Sequence, residues 1–133
     1  MKRLLLDLWQ IEFHIRVHIA LVKWIYRRLP FLGKFFSMLM DRAMLTLYGI
    51  DLKSVSINIA KLSIAHPAGV LLGGNGICST GRVAIMAGVK FVAHSPRNDE
   101  YLARQKLARV FELGDNIVIS ANSVIIGPVS ICD

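Results

Sequence analysis

A histidine beside a proline is the residue of this chain best suited to acid–base chemistry. His66 lies two positions after the aliphatic Ile64 and directly before Pro67, which predicts a bend of the chain with the imidazole facing solvent. An imidazole titrates near neutral pH, so an exposed one can accept and return a proton during a reaction. A solvent-facing histidine without a role is the alternative, and the spacing alone leaves both interpretations open.

A six-residue repeat indicates the elements that must position this histidine. From Leu113 onward an aliphatic residue returns at Ile119, Ile125 and Ile131, with turn-prone pairs midway between them. Neither a helix nor a plain strand has this period, and a helix does not accept Gly127-Pro128 in its interior. The same phase runs upstream through Leu52, Ile64, Val70, Ile77, Val83 and Val89, with two defects: Asn58 stands where an aliphatic is expected, and one extra residue lies between Val70 and Ile77.

Short strands that turn every sixth residue are typical of a hexapeptide-repeat parallel β-helix. The sequence therefore predicts a mainly β fold, a single-stranded left-handed parallel β-helix preceded by an α-helical segment. We assign residues 1–48 to the helical N-terminal segment and residues 49–133 to the β-helix, with an inserted loop at 94–110 where the repeat breaks.

The first fifty residues have helical character. The pattern predicts an amphipathic helix that ends at Pro30, then a second helix from about Leu32 to Leu47 that Gly49 closes. Charged residues interrupt every apolar run of about 18 residues, so no membrane span is predicted. Apolar residues at helical spacing form two stripes: Trp9, Phe13, Val17, Leu21 and Trp24, then Phe36, Met40, Met44 and Leu47.

Two interpretations of these stripes remain open. They pack on each other and on a neighbouring subunit, or they rest on a membrane surface with Arg27, Arg28 and Lys34 facing anionic lipid. Charge is uneven, since the net charge is +7 and residues 1–50 hold eight Lys/Arg against three Asp/Glu. No recognised nucleic-acid motif accompanies this excess, so no nucleic-acid partner is expected.

Cysteine usage indicates a reducing compartment. Cys78 and Cys132 are too few for a disulfide framework, and neither has the spacing of a metal ligand. We therefore expect a cytoplasmic location, with contact at the inner face of the membrane as a second possibility. We expect no bound metal.

One family shares the features around His66. The run Gly49-Ile-Asp-Leu, the fifteen-residue step from Asp51 to His66, and the following Pro67-Ala-Gly-Val-Leu-Leu-Gly-Gly resemble the serine acetyltransferase branch of the hexapeptide acyltransferases. The resemblance covers about residues 46–133. It implies an acetyl-CoA-dependent O-acetyltransferase with His66 as general base and Asp51 as the carboxylate that orients it. In such chemistry an imidazole takes the proton of a hydroxyl that attacks a thioester, and no metal is needed.

Departures from the family pattern concern the acceptor. Ala65 stands where the family has an acidic residue that contacts the amino-acid substrate. The loop that binds the substrate carboxylate is replaced by Phe91-Val-Ala-His-Ser-Pro-Arg, so the acceptor is either serine or a sugar of a surface polysaccharide. The insert that follows resembles an arm that closes the acceptor pocket across a subunit boundary, which implies substrate binding by His94 and Arg97.

The resemblance also implies a homotrimer, or a dimer of trimers, with each site shared between neighbouring copies. Related chains continue through further coils that cradle coenzyme A, whereas this sequence stops at Asp133. The residues that would bind coenzyme A are therefore left unassigned. The alternative to an enzyme is a catalytically inactive scaffold or assembly protein without a complete coenzyme A site.

Overall fold

A computed structural model describes residues 10–29, 31–94 and 97–132. Over these residues the fold is α/β, with three helices and two sheets of parallel strands, 38% helical and 32% strand. The prediction of a mainly β, left-handed β-helix is wrong, because no closed solenoid is found among the described residues. The six-residue phase indicates which residues face the core and where the chain turns. Two sheets of parallel strands are as compatible with that phase as a β-helix is.

Two antiparallel helices form a hairpin at the start of the described chain. Helix α1 spans Ile11–Arg28 and helix α2 spans Leu32–Tyr48, close to the interval expected for the second helix. Gly49 ends α2 as predicted, since its φ is 65° and its N–H donates to the carbonyl of Leu45 at 3.0 Å. Among the described residues, no helix combines the length and apolar character needed to cross a bilayer.

The buried face of α1 is not the predicted stripe. Ile15 and Val22 are buried, whereas Val17, Leu21 and Trp24 are exposed. Because α1 is apolar on more than one face, its periodicity does not single out the face that packs. In the stripe of α2, Met44 is buried while Phe36 and Leu47 are exposed, and Trp9 and Pro30 lie outside the described residues.

The strands follow one another in short segments along the rest of the chain. They are β1 (Asp51–Leu52), β2 (Ile57–Ile64), β3 (Leu71–Leu72), β4 (Ile77–Ile85), β5 (Lys90–Ala93), β6 (Phe111–Leu113), β7 (Asn116–Ile119), β8 (Val124–Gly127) and β9 (Val129–Ile131). A single 3-10 turn, Ser54–Ser56, separates β1 from β2. One sheet has the order β1-β3-β5-β8 and the other has the order β2-β4-β6-β9, with β7 also paired to β4.

Strand register shows that the chain returns to the same sheet at regular intervals. Asp51 aligns with Leu71, and Leu71 aligns with Lys90. The next partner of Lys90 is Val124, because the insert of residues 94–110 lies between them. Each pass of the chain, from one strand of a sheet to the next strand of that sheet, therefore stacks in parallel on the preceding one. Consecutive strands enter different sheets, except that β6 and β7 both belong to the second sheet.

A column of turns aligns these passes. Gly49, Gly69, Gly88 and Asn122 all have positive φ, at 65°, 71°, 69° and 61°. The N–H of Gly69 donates to the carbonyl of Gly49 at 2.9 Å, and the N–H of Asn122 donates to the carbonyl of Ala87 at 2.9 Å. Glycine and asparagine are the residues that adopt this left-handed conformation at least cost, which explains their return at each turn.

The core follows the six-residue phase. Its aliphatic positions from the first strand to the seventh are buried, namely Leu52, Ile64, Val70, Ile77, Val83, Val89, Leu113 and Ile119. Phe91 and Phe111 fill the space between passes, with ring centroids 5.1 Å apart and planes at 82°. This edge-to-face arrangement is favourable for two aromatic quadrupoles.

The insert carries helix α3, Asp99–Lys106. Asn98 caps it by accepting the N–H of Glu100 at 2.7 Å. Tyr101 docks the helix, since it is buried and its hydroxyl donates to Oδ1 of Asn75 at 2.7 Å. Leu102 and Leu107 take no part in docking the insert, because both are exposed.

Candidate functional site

His66 lies in the turn between β2 and β3, where its side chain is exposed. The adjacent Pro67 is buried and accepts a hydrogen bond from the N–H of Val70 at 3.1 Å, which fixes the turn. Among the described residues, no side-chain hydrogen bond or ion pair engages the imidazole of His66. The ring is therefore available to an incoming group, as its sequence position predicted.

Asp51 opens β1 and is also exposed. Its N–H donates to the carbonyl of Val70 at 2.9 Å, and Gly49 accepts from the N–H of Gly69, so the start of β1 lies against the turn that carries His66. Within the described chain the carboxylate of Asp51 has no hydrogen bond or ion pair, to His66 or to any other residue. The structure thus brings the two segments together without pairing the side chains.

His94 lies at the opposite edge of the same sheet. His94 directly follows β5, and its N–H donates to the carbonyl of Gly127 at 2.7 Å. Parallel strands end at the same edge, whereas the turn of His66 leads into the beginning of β3. The four residues of β5, at about 3.3 Å each, separate the two edges by roughly 13 Å. Within one copy of the chain, His94 is therefore not beside His66, and the role predicted for Arg97 stays a prediction.

A cleft of about 700 Å³ lies between the helical hairpin and the carboxyl ends of β1 and β3. Its helical wall comprises Tyr26, Lys34, Ser37, Met38, Asp41 and Arg42, and its sheet wall comprises Asp51, Leu52, Lys53, Val55, Gly73 and Gly74. In α/β folds the carboxyl ends of parallel strands are the usual place for a ligand, because the loops there are free to diverge. Asp51 lines this cleft, whereas His66 does not.

The cleft is electropositive. Lys34, Arg42 and Lys53 line it, and no ion pair neutralises any of them among the described residues. Two carboxylates, Asp41 and Asp51, also line the cleft. Asp41 already accepts hydrogen bonds from neighbouring donors, so only Asp51 is unengaged among the described anionic groups of the lining. Unpaired cations around a concave surface favour an anionic ligand.

Asp41 is the centre of a polar network that fastens the hairpin to the sheets. Its Oδ1 lies 3.0 Å from Nε2 of His18 and accepts the hydroxyl of Ser54 at 2.6 Å, and its Oδ2 accepts the N–H of Ser54 at 3.0 Å. The side chains of His18 and Asp41 are each 11% exposed, and Ser54 is buried. One carboxylate therefore joins α1, α2 and the 3-10 turn after β1.

This network was missed from the sequence, although a signal was present. His18 follows Ile15 by three positions and precedes Val22 by four, so it shares the face of α1 that is buried. A polar residue on a buried helical face must find a partner. His14 is placed similarly, and its Nδ1 lies 2.7 Å from the hydroxyl of Tyr48.

Lys23 makes a second attachment between α1 and the sheets. Its ammonium donates to the carbonyl of Ile57 and to Oδ1 of Asn58, the latter at 3.1 Å. Burial, and secondarily the nearby charge of Arg27, holds the pKa of Lys23 below its ordinary value. Two cations thus lie close together on α1 without an intervening acid.

Cys78 lines a second cleft, of about 400 Å³, between β4 and the segment that follows α3. Burial raises the pKa of this thiol, the charge of Glu112 raises it further, and Arg109 partly offsets both. A thiol of this kind is poorly nucleophilic, because the thiolate is the reactive form. In the part of the chain that the structure describes, no group of three or more His, Cys, Asp or Glu side chains is placed to hold a metal ion.

Comparison with protein-family models, with curated protein sequences and with solved structures finds no match to this chain. The resemblance to serine acetyltransferases therefore has no support beyond the sequence features already described. It stays a prediction, and function must be argued from the geometry.

Proposed function

We propose that the protein is an acetyl-CoA-dependent O-acetyltransferase that acts on a hydroxyl acceptor. The observation that carries this proposal is the exposed, unengaged imidazole of His66, held in a fixed turn against the segment of Asp51. The imidazole of His18, by contrast, is engaged, because its Nε2 lies 3.0 Å from Oδ1 of Asp41. His66 has no such restriction.

In the proposed reaction His66 removes the proton of the acceptor hydroxyl. The oxygen attacks the thioester carbonyl, the carbon–sulfur bond breaks, and the imidazolium returns the proton to the departing sulfur. The products are an O-acetyl ester and the free thiol of coenzyme A. Asp51, whose carboxylate has no partner among the described residues, is proposed as the carboxylate that stabilises the imidazolium that forms.

Asp51 also connects the turn of His66 to the cleft. It lies beside that turn through the backbone and lines the electropositive wall that Lys34, Arg42 and Lys53 provide. A phosphate-bearing substrate that reaches from the cleft past Asp51 would bring its far end toward His66. Coenzyme A belongs to this chemical class, and so does a phosphorylated sugar acceptor.

The acceptor proposal remains serine or a sugar of a surface polysaccharide. Because His94 lies across the sheet from His66, it would reach the substrate of His66 from a neighbouring copy, as in the shared site of a trimer, and Arg97 is proposed to act with it. The trimer and these two substrate contacts remain predictions. They also belong together, since a monomer would leave His94 and Arg97 without a role at this site.

The proposal is tested by thiol release from acetyl-CoA in the presence of L-serine or of a panel of sugars and sugar phosphates. We expect release that requires both acetyl-CoA and one acceptor class, above the background from the exposed Cys132. Turnover of a sugar with none of serine would identify the acceptor. Absence of acceptor-dependent release across the panel would contradict the enzymatic proposal.

The unpaired state of Asp51 and His66 favours one second candidate, an inactive scaffold. Active imidazole–carboxylate pairs are commonly hydrogen-bonded, and this one is not. Calorimetric titration with coenzyme A separates the two functions. Saturable binding supports the enzyme, whereas the scaffold should show no saturable site.

A further inference from the structure

The tip of the helical hairpin is apolar, exposed and basic at once. By hairpin tip we mean residues 24–29 and 31–36, the last turn of α1 with Leu29 and the first turn of α2 with Phe31. Phe31 is 92% exposed, Leu32 59%, Trp24 58% and Phe35 57%. Such a concentration of large apolar side chains in contact with water marks an interaction surface.

The charges around the hairpin tip are of one sign. Between Phe13 and Met40 the sequence contains five Lys or Arg and no Asp or Glu. Arg27, Arg28 and Lys34 belong to the tip itself, and all three are exposed. The pKa of Lys23 is lowered by burial and by the charge of Arg27, which shows that neighbouring cations here already repel. A surface of this kind is stabilised by an anionic counterpart.

We propose that the hairpin tip docks on the surface of an anionic lipid bilayer. The aromatic and aliphatic side chains would enter the boundary between headgroups and acyl chains, while the three cations remain at the level of the phosphates. Neither α1 nor α2 can span the bilayer, so the contact is interfacial. This inference is independent of the proposed acetyl transfer.

A second copy of the chain fits this surface less well than lipid does. A symmetric dimer through the hairpin tip would bring Arg27, Arg28 and Lys34 of one copy against the same cations of the other. No acid between residues 13 and 40 is present to offset that repulsion. An anionic membrane satisfies the apolar and the charged groups together.

The test is flotation of the full chain with vesicles of phosphatidylcholine alone and of phosphatidylcholine with phosphatidylglycerol. We expect binding to the anionic vesicles only, with loss at high salt. The triple variant Arg27→Gln, Arg28→Gln, Lys34→Gln should bind at least about tenfold more weakly. Phe31→Ser with Phe35→Ser should bind more weakly by a similar factor, since it removes the inserted groups.

A matched control removes the same charge elsewhere. Lys61→Gln, Arg82→Gln, Lys90→Gln changes three exposed cations of the sheets and should retain parental binding. Circular dichroism would establish that every variant is folded. Three results would each overturn the proposal. They are an equal loss of vesicle binding in the control, no vesicle binding by the parent chain, and a dimer in sedimentation experiments that only the tip variants abolish.

Discussion

At the scale of single residues, some polar side chains stabilise the fold through hydrogen bonds, and others remain available to a ligand. The side chains of His18 and Ser54 both contact the carboxylate of Asp41, in a largely buried network. His66 and Asp51, which the sequence selected, have no side-chain partner among the described residues. A buried polar group without a partner is costly, whereas an exposed one is free to meet a substrate.

The two aspartates of the cleft should therefore respond differently to substitution. Asp41→Ala removes the acceptor of two hydrogen bonds from Ser54 and the contact of His18, and should lower the free energy of unfolding by about 1–3 kcal/mol. Asp51→Ala removes no hydrogen bond and should change it by less than about 0.5 kcal/mol. Urea unfolding of both variants measures the difference, and equal stability would contradict the role of the network.

The thiol of Cys78 provides a pH-dependent prediction. Because its pKa is raised, it should react with iodoacetamide far more slowly than the exposed Cys132 at pH 8. Glu112→Gln, on a Cys132→Ser background, should accelerate Cys78 by removing one cause of the raised pKa. Glu100→Gln on the same background is the control, since Glu100 pairs with Arg104 on α3.

The raised pKa of Cys78 also makes the stability of the fold depend on pH. The folded chain holds the Cys78 proton more tightly than the unfolded chain, so the contribution of this group is present below the ordinary thiol pKa. The free energy of unfolding should fall as the pH rises from the ordinary thiol pKa to the raised pKa of the folded chain. Modification rates of Cys78 unchanged by Glu112→Gln would indicate that the charge of Glu112 does not act on the thiol.

At the scale of elements, close backbone approaches determine how the passes stack. Gly76 has φ of 90° at the start of β4, and a Cβ there would lie 2.2 Å from the backbone of Ala108. Its carbonyl accepts the N–H of Phe111 at 3.0 Å, which attaches β6 to the sheet after the insert. No side chain fits between these two stretches of backbone.

Gly76→Ala should therefore destabilise the fold by more than about 1 kcal/mol. Gly74→Ala is its matched control, because a Cβ there meets only the flexible side chain of Lys53, at 2.8 Å. Thermal unfolding followed by circular dichroism compares the two variants. If Gly76→Ala were as stable as Gly74→Ala, the close approach would not constrain the fold.

The sequence predicted part of the interior of the sheets and the end of α2, but neither the buried face of α1 nor the fold class. Burial at Val70, Ile77 and Val83 follows from the six-residue phase, and the left-handed conformation of Gly49 follows from its type. The phase does not specify how strands are divided between sheets or how much helix accompanies them. The cleft depends on contacts between α2 and β1, which local patterns do not encode.

At the scale of the whole molecule, charge and shape distinguish three regions. The hairpin tip is basic and apolar, the cleft beside it carries unpaired cations, and the turn of His66 lies beyond Asp51 on the far side of β1. Tyr26 and Lys34 belong to both the hairpin tip and the cleft wall. A phosphate-bearing substrate held at a membrane surface would therefore be close to the cleft.

The most direct measurement for the proposed function compares kcat/KM for acetyl transfer in the parent chain, in His66→Ala and in Lys61→Ala, an exposed substitution on β2. With both variants shown to be folded, we predict a loss of at least about 100-fold for His66→Ala, as expected when a general base is removed. Lys61→Ala should retain parental activity. Full turnover by His66→Ala would contradict the account.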